Sequence, residues 1–249
     1  MSTGRLLADW RDASTYEWLD ACGRPAFAWE WLRRRPDYQA AAGEADASSS
    51  AAAFGLRNRP PFEADARAAR PVWTAAVDPC LLIATAQSCS TRDCNFDLGR
   101  VREGRTLTVS ADGEHWLFGT AARPLRLDIV SGSLCGGPVA LTVHVARLDV
   151  AALVAVARLI ALAREGRWRR SHFPAERRAE RWSQVLRVHD ALLAGASQRD
   201  IADALFGTAG VANWRVNAAP WRRRSQRLVE AARRAAMSEP ADWLGGAFP

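Results

Sequence analysis

The spacing of apolar residues changes twice along the chain, and this constrains the fold more than any other feature. Up to about residue 40 the spacing is helical: Phe27, Trp31 and Leu32 fall at i, i+4 and i+5, and Pro36 ends the run. From Val72 short β-like runs take over, reading "CLLIATA", "LTVSADGEHWLFG", "LRLDIV" and "ALTVHV". Asp112-Gly113 in the second run is a two-residue hairpin signal between apolar segments, and a Gly-rich turn from Ser131 to Pro138 joins the last two. Helical spacing returns after Asp149, a natural N-cap. Helices, then strands, then helices predict an α+β chain. The expected parts are a small N-terminal helical domain, an antiparallel β-rich middle domain with a long apolar helix, and a C-terminal helix-turn-helix.

The corresponding boundaries are 1–40 for the helical domain, 41–71 for an Ala/Ser/Pro-rich linker anchored by Phe54 and Leu56, and 72–166 for the middle domain. A basic connector at 167–180, the helix-turn-helix at 181–240 and a tail at 241–249 follow. The helix after Asp149 is apolar nearly all round. Val150, Leu153, Val154, Ala157 and Ile160 lie on one side, with Val156, Leu159 and Leu162 on another. One stripe is satisfied by the sheet; the second calls for a partner. Leu153, Val156, Leu159 and Leu162 are therefore candidates for an oligomer interface, with a well-buried core helix as the alternative.

The formal net charge is +7, and every basic residue is arginine. Such a balance favours a polyanionic partner, and arginine binds phosphate in bidentate fashion. Arg33, Arg34 and Arg35 crowd the end of an early helix, where the expected role is a solvated run that compensates the helix dipole. The beginning "MSTGRLLADWRDASTYEW" lacks a continuous apolar segment, and the run Leu148 to Ala163 is too short to span a bilayer of about 30 Å. A soluble, cytoplasmic protein is expected. Five irregularly spaced cysteines argue for reduced structural thiols over a disulfide framework. Cys89, Cys94, His115 and His144 lack metal-ligand spacing, so no metal and no cofactor are expected.

The C-terminal segment carries the most chemistry. Trp182, Val185, Leu186, His189, Leu192 and Leu193 line one face of a helix that Gly195 ends, with His189 read as a core histidine. "ASQRDIADALFG" then supplies Ser197 as N-cap, Asp200 three residues on, an apolar side of Ile201, Ala202, Leu205 and Phe206, and a stop at Gly207. The third helix starts near Pro220. With Leu228 as the core direction, Trp221, Ser225, Ala232 and Ala235 point inward. Arg222, Arg223, Gln226, Arg227, Arg233 and Arg234 point outward, with Arg224 at the edge. Arginine and glutamine on one face suit phosphate neutralisation and the guanine and adenine edges. The gap "GTAGVANWRVNAA" is long for a tight turn, so a winged or extended variant is expected. In it, Asn213, Trp214 and Arg215 form an extra turn beside the DNA backbone.

"RPVWTAAVDP", the hairpin strands and "GASQRDIADALFG…NWR…WRRRSQRLVEAARR" resemble the RovC-like DNA-binding domain of type VI secretion transcription factors. "DWRDASTYEWLDACGRPAFAWEWLRRRPDYQ" resembles a small transcriptional regulator-like domain found ahead of it in proteobacteria. The resemblance implies a cytoplasmic regulator, an activator, that binds double-stranded promoter DNA as a homo-oligomer. It also implies DNA-facing positions at Ser197, Gln198, Arg199, Trp214, Arg215 and Arg222 to Arg227. One departure is the closing segment "SEPADWLGGAFP", which stands where a Gly-Tyr-containing segment is expected.

No nucleophile elbow, phosphate loop or zinc-protease motif appears, and Asp128, Asp149 and Glu165 show no grouping in sequence. An enzyme is not expected. The rival reading is a protein-interaction adaptor, or a non-specific DNA-binding factor of a mobile element. In that case the helices dock RNA polymerase or another regulator.

Overall fold

A computed structural model describes residues 8–41, 51–89, 94–145, 149–207 and 219–248. The chain divides into two compact units, Met1–Gly43 with Ala175–Pro249, and Glu44–Pro174. The N-terminal and C-terminal helices, expected as separate domains, thus belong to one unit.

The central unit is built on a five-stranded sheet of β1 (Leu82–Ser88), β2 (Arg105–Ser110), β3 (Gly113–Thr120), β4 (Arg123–Ser131) and β5 (Val139–His144). The strand order is β2-β3-β4-β1-β5. β1 runs parallel to β4, so the sheet is mixed rather than antiparallel as expected. That pairing joins Leu82 to Leu127, residues far apart in sequence, and leaves no local signal. The hairpin forms one residue earlier than its Asp-Gly signal. Ala111-Asp112 is the turn and Gly113, at φ +126°, opens β3, where a Cβ would collide with the Ile129 carbonyl.

Trp116 and Phe118 of β3, stacked with ring centroids 5.6 Å apart, join Leu125, Leu127 and Ile129 of β4 in the core. Against them packs the helix Val150–Glu165, which buries Ala152, Ala155, Leu159, Ala161 and Leu162. Asp149 caps it, accepting a hydrogen bond from the Ala152 amide at 2.9 Å. It is not the long apolar helix expected. It has 16 residues and one buried face, while Val150, Leu153 and Ile160 lie exposed. Among the described residues, no helix is long and apolar enough to cross a membrane.

The segment expected as a linker is folded in part. Leu56 and Trp73 are buried and form a β-bridge, while Phe54 is half-buried. A short helix, Ala66–Ala69, capped by Asp65, lies between them. Cys89 and Cys94 form a disulfide, contrary to the expectation of reduced thiols. Ser88 and Phe96 both pair with Val139, and this brings the two cysteines to a Cα–Cα distance of 5.7 Å. His115, buried, lies 2.8 Å from Ser110 Oγ and 2.9 Å from Asp128 Oδ1.

In the other unit, the N-terminal helices are α1 (Ser14–Glu17), α2 (Arg24–Leu32) and α3 (Pro36–Ala40). Counting Ala66–Ala69 as α4 and Val150–Glu165 as α5, the chain continues with α6 (Ala179–Leu193), α7 (Gln198–Phe206), α8 (Ala219–Ala236) and α9 (Pro240–Leu244). Phe27 and Trp31 of α2 pack with Trp182 of α6 and Trp243 of α9; the Trp182–Trp243 centroids are 5.1 Å apart. The closing segment is therefore core and not a loose tail: Trp243 is fully buried and stacks on Phe248 at 4.0 Å.

The arginine run at the end of α2 is the clearest correction. Arg33 and Arg34 are buried, not solvated. Arg34 grips Asp190 of α6 through two 2.7 Å hydrogen bonds and donates a third, of 2.6 Å, to Glu30. Tyr16 donates to the same Asp190 carboxylate at 2.7 Å. Burial works against the Arg34 charge, but Asp190 and Glu30 outweigh it and hold the guanidinium above its ordinary value. Burial pulls Asp190 the other way, yet Arg34 keeps its carboxyl below the usual carboxylate range. Arg35 pairs at the surface with Asp37 and Glu239, both at 2.6 Å.

Candidate nucleic-acid interface

The site grows from α6, α7 and α8. α6 ends with the Gly195 amide donating to Leu192 and the Ala196 amide to Ala191, with Gly195 at φ +75°. This is a Schellman closure, which needs a residue at ease in the left-handed region. Ser197 follows at once and caps α7. Its hydroxyl accepts from the Asp200 amide, and Asp200 accepts from the Ser197 amide at 2.9 Å, completing the capping box. The hydrogen bonds to Ser197 hold the Asp200 carboxyl below its ordinary value. An ionised carboxylate therefore occupies the start of α7. Gln198 and Arg199 stand exposed beside it, so these two, more than Ser197, are available to a ligand.

Ile201 and Ala202 of α7 are fully buried, while Leu205 and Phe206 are half-buried. Phe206 packs against Trp221 of α8 with centroids 4.9 Å apart, and the Arg224 guanidinium lies 4.6 Å from its ring centre. Arg187 of α6 donates to the Ala204 carbonyl at 3.3 Å and to the Trp10 carbonyl at 2.6 Å, which ties α7 and the N-terminal segment to α6. His189 lies 5.0 Å from Trp31, centroid to centroid, and burial pushes its pKa down to about 4.

α8 starts where Pro220 placed it and has the sidedness read from the sequence, with a wider buried face. Ser225, Leu228, Val229, Ala231, Ala232 and Ala235 are buried, and Trp221 is half-buried. Arg223, Arg224, Gln226, Arg227, Arg233 and Arg234 are exposed, and Arg222 is half-buried. Gln226 donates to Glu230 at 3.2 Å, one turn further along the helix. Among the described residues, Arg223 and Arg227 have no ion-pair partner. Asn213, Trp214 and Arg215 lie outside the described residues.

The interface candidates in the central unit divide. Leu159 and Leu162 are buried against the sheet and cannot present their side chains to a partner. Val156 is partly buried against the same core, and Leu153, at 62% exposure, is free on the outer face beside Val150. A stripe defined by periodicity alone could not tell these two sides apart.

Sequence reasoning missed one feature of the site. Glu180, Arg181 and Gln184 lie along the start of α6, and Arg177 stands in the turn just before it. They face Arg224, Arg227 and Leu228 of α8 across a groove of about 560 Å³. The signal was present as spacing, but only the packing of α6 on α8 tells what Arg177 and Arg181 face.

A search of curated proteins returned no match. Comparison with protein families gave two. Residues 9–73 match the proteobacterial transcriptional regulator-like domain, and residues 141–239 match the DNA-binding domain of type VI secretion system transcription factors, as the resemblance implied; the second match does not extend to the "RPVWTAAVDP" stretch or the hairpin strands on which that resemblance also drew.

Proposed function

We propose that this protein is a sequence-specific, DNA-binding transcription regulator of the activator type that acts as a homo-oligomer in the cytoplasm. In this reading α7 and α8 are the two helices of a helix-turn-helix, and α8 is the recognition helix. The observation that carries it is the outer face of α8, where Arg223, Gln226 and Arg227 stand exposed and the two arginines lack acidic partners among the described residues. A face with this composition offers phosphate contacts for positioning, and arginine and glutamine for base edges. Arg222 adds to it from a half-buried position, and Gln198 and Arg199 extend it from the start of α7. Arg215 and its neighbours Asn213 and Trp214 are proposed to add backbone contacts. The matched family descriptions support a DNA partner; RNA polymerase or another regulator is a further partner implied by an activator role.

The oligomer is assigned to the outer face of α5, where Leu153 and Val150 are exposed and Val156 lies at the margin. Leu153→Glu is expected to lower the mass measured by light scattering; an unchanged mass would remove this face from the oligomer.

The functional test is to incubate the purified protein with sheared genomic DNA at about 150 mM salt, where weak phosphate binding is suppressed, and to sequence what it retains. The reading predicts a few promoter fragments that share a motif. Uniform retention, or none, would favour the adaptor or non-specific reading.

A further inference from the structure

We infer that the groove between α6 and α8 is a seat for the sugar-phosphate backbone of duplex DNA, separate from the base-reading face and continuous with it. The inference rests on the DNA-binding reading above and adds a second contact surface to it. Four arginines line the groove, Arg177 from the turn before α6, Arg181 from α6, and Arg224 and Arg227 from α8, with Glu180 as the acid among the lining residues. Four guanidinium groups gathered around one concavity repel each other, and a fold commonly relieves this with carboxylates. Here it does not: among the described residues none of the four has an ion-pair partner, and Glu180 is engaged by Gln184 at 3.4 Å. The contrast with the paired arginines of α2 lies within the same unit.

Three further features suit a diester backbone. The groove is wide, open and polar, with Leu228 as its apolar lining residue, which fits a passing strand better than an enclosed ligand. Arg224 is held by its contact with Phe206, so one donor is oriented in advance. The amino end of α6, a 15-residue helix, opens at Ala179 between Arg177 and Arg181, and its dipole adds to the positive field. Arg227 belongs both to the groove and to the exposed face that carries Arg223, one turn earlier on α8. A strand seated in the groove therefore continues onto the base-reading face.

The test measures affinity against salt for two duplexes, one retained from the genomic selection and one of unrelated sequence. Each phosphate neutralised contributes about 0.9 to the slope of log K against log salt. Arg177→Ala with Arg181→Ala is expected to reduce that slope by about two on both duplexes and to leave their affinity ratio unchanged. Arg177→Lys with Arg181→Lys is expected to keep the slope. Glu180→Gln is expected to tighten binding to both duplexes by a few-fold, a gain that misfolding cannot imitate. An unchanged slope in the double alanine variant, with wild-type DNA binding intact, would overturn the groove alone. Failure of the wild-type protein to bind either duplex would overturn the DNA reading, and the groove with it.

Discussion

Two arginine clusters in the same unit have opposite fates. At the end of α2, Arg33 and Arg34 are buried and bonded to Glu30 and Asp190. On α8, Arg223, Arg224 and Arg227 face outward, and Glu230 bonds Gln226 rather than an arginine. In sequence the two runs look alike. What separates them is whether a carboxylate from another helix arrives at bonding distance, and for Arg34 that carboxylate comes from Asp190, far along the chain. The first cluster holds helices together; the second is left with charge to offer a ligand. A buried pair is costly to break because the remaining charge stays desolvated, whereas an exposed arginine costs little to remove.

The largest expected effect follows directly. Arg34→Ala should destabilise the protein by about 3–5 kcal/mol in urea unfolding, because Asp190 is left buried with the Tyr16 hydroxyl but without its guanidinium, while Glu30 keeps Arg33. A loss below about 1 kcal/mol would mean that the network adds nothing that solvent cannot replace.

A pH effect comes next. His189 has a folded pKa of about 4, below the ordinary value of 6.5, so the unfolded chain binds its proton first. Its contribution is fully present above pH 6.5 and is lost as the pH falls toward 4. Asp190, also depressed, loses its contribution at lower pH still, as the carboxylate is protonated. Unfolding stability should therefore decline between pH 6.5 and 4, and His189→Leu should flatten that decline. Arginine keeps its charge over this range, so a loss of DNA affinity before any loss of folded protein would contradict the separation of the two clusters.

Arg35→Ala is expected to have the smallest effect. Its partners Asp37 and Glu239 are largely exposed, and surface pairs of this kind contribute about 0–1 kcal/mol. A loss as large as that of Arg34 would erase the distinction drawn from burial.

The parts legible in the sequence are those set by local spacing. Phe27, Trp31 and Leu32 form a buried helix face, Asp149 and Ser197 cap the helices they precede, and α8 buries Leu228 while Arg223, Arg227, Arg233 and Arg234 stay exposed. The parts that were not legible depend on partners distant in sequence. The parallel pairing of Leu82 with Leu127, the disulfide between Cys89 and Cys94 and the burial of Trp243 against Trp182 are of this kind. For α5, periodicity found two apolar sides but could not say which one the sheet covers, and the sheet covers Leu159 and Leu162. For the candidate site, spacing identified the outer face of α8, but Arg177 and Arg181 gain meaning only from the helix packed opposite them.

The most direct test of the account compares the wild-type protein with Arg222→Ala combined with Arg223→Ala on a promoter fragment recovered from the genomic selection. Affinity and unfolding stability should be measured side by side. The account predicts that specific binding is lost, at about 1–3 kcal/mol for each base-reading arginine, while the protein still unfolds cooperatively and the oligomer is unchanged. Retained sequence-specific binding in the double variant would contradict it and move DNA recognition away from α8.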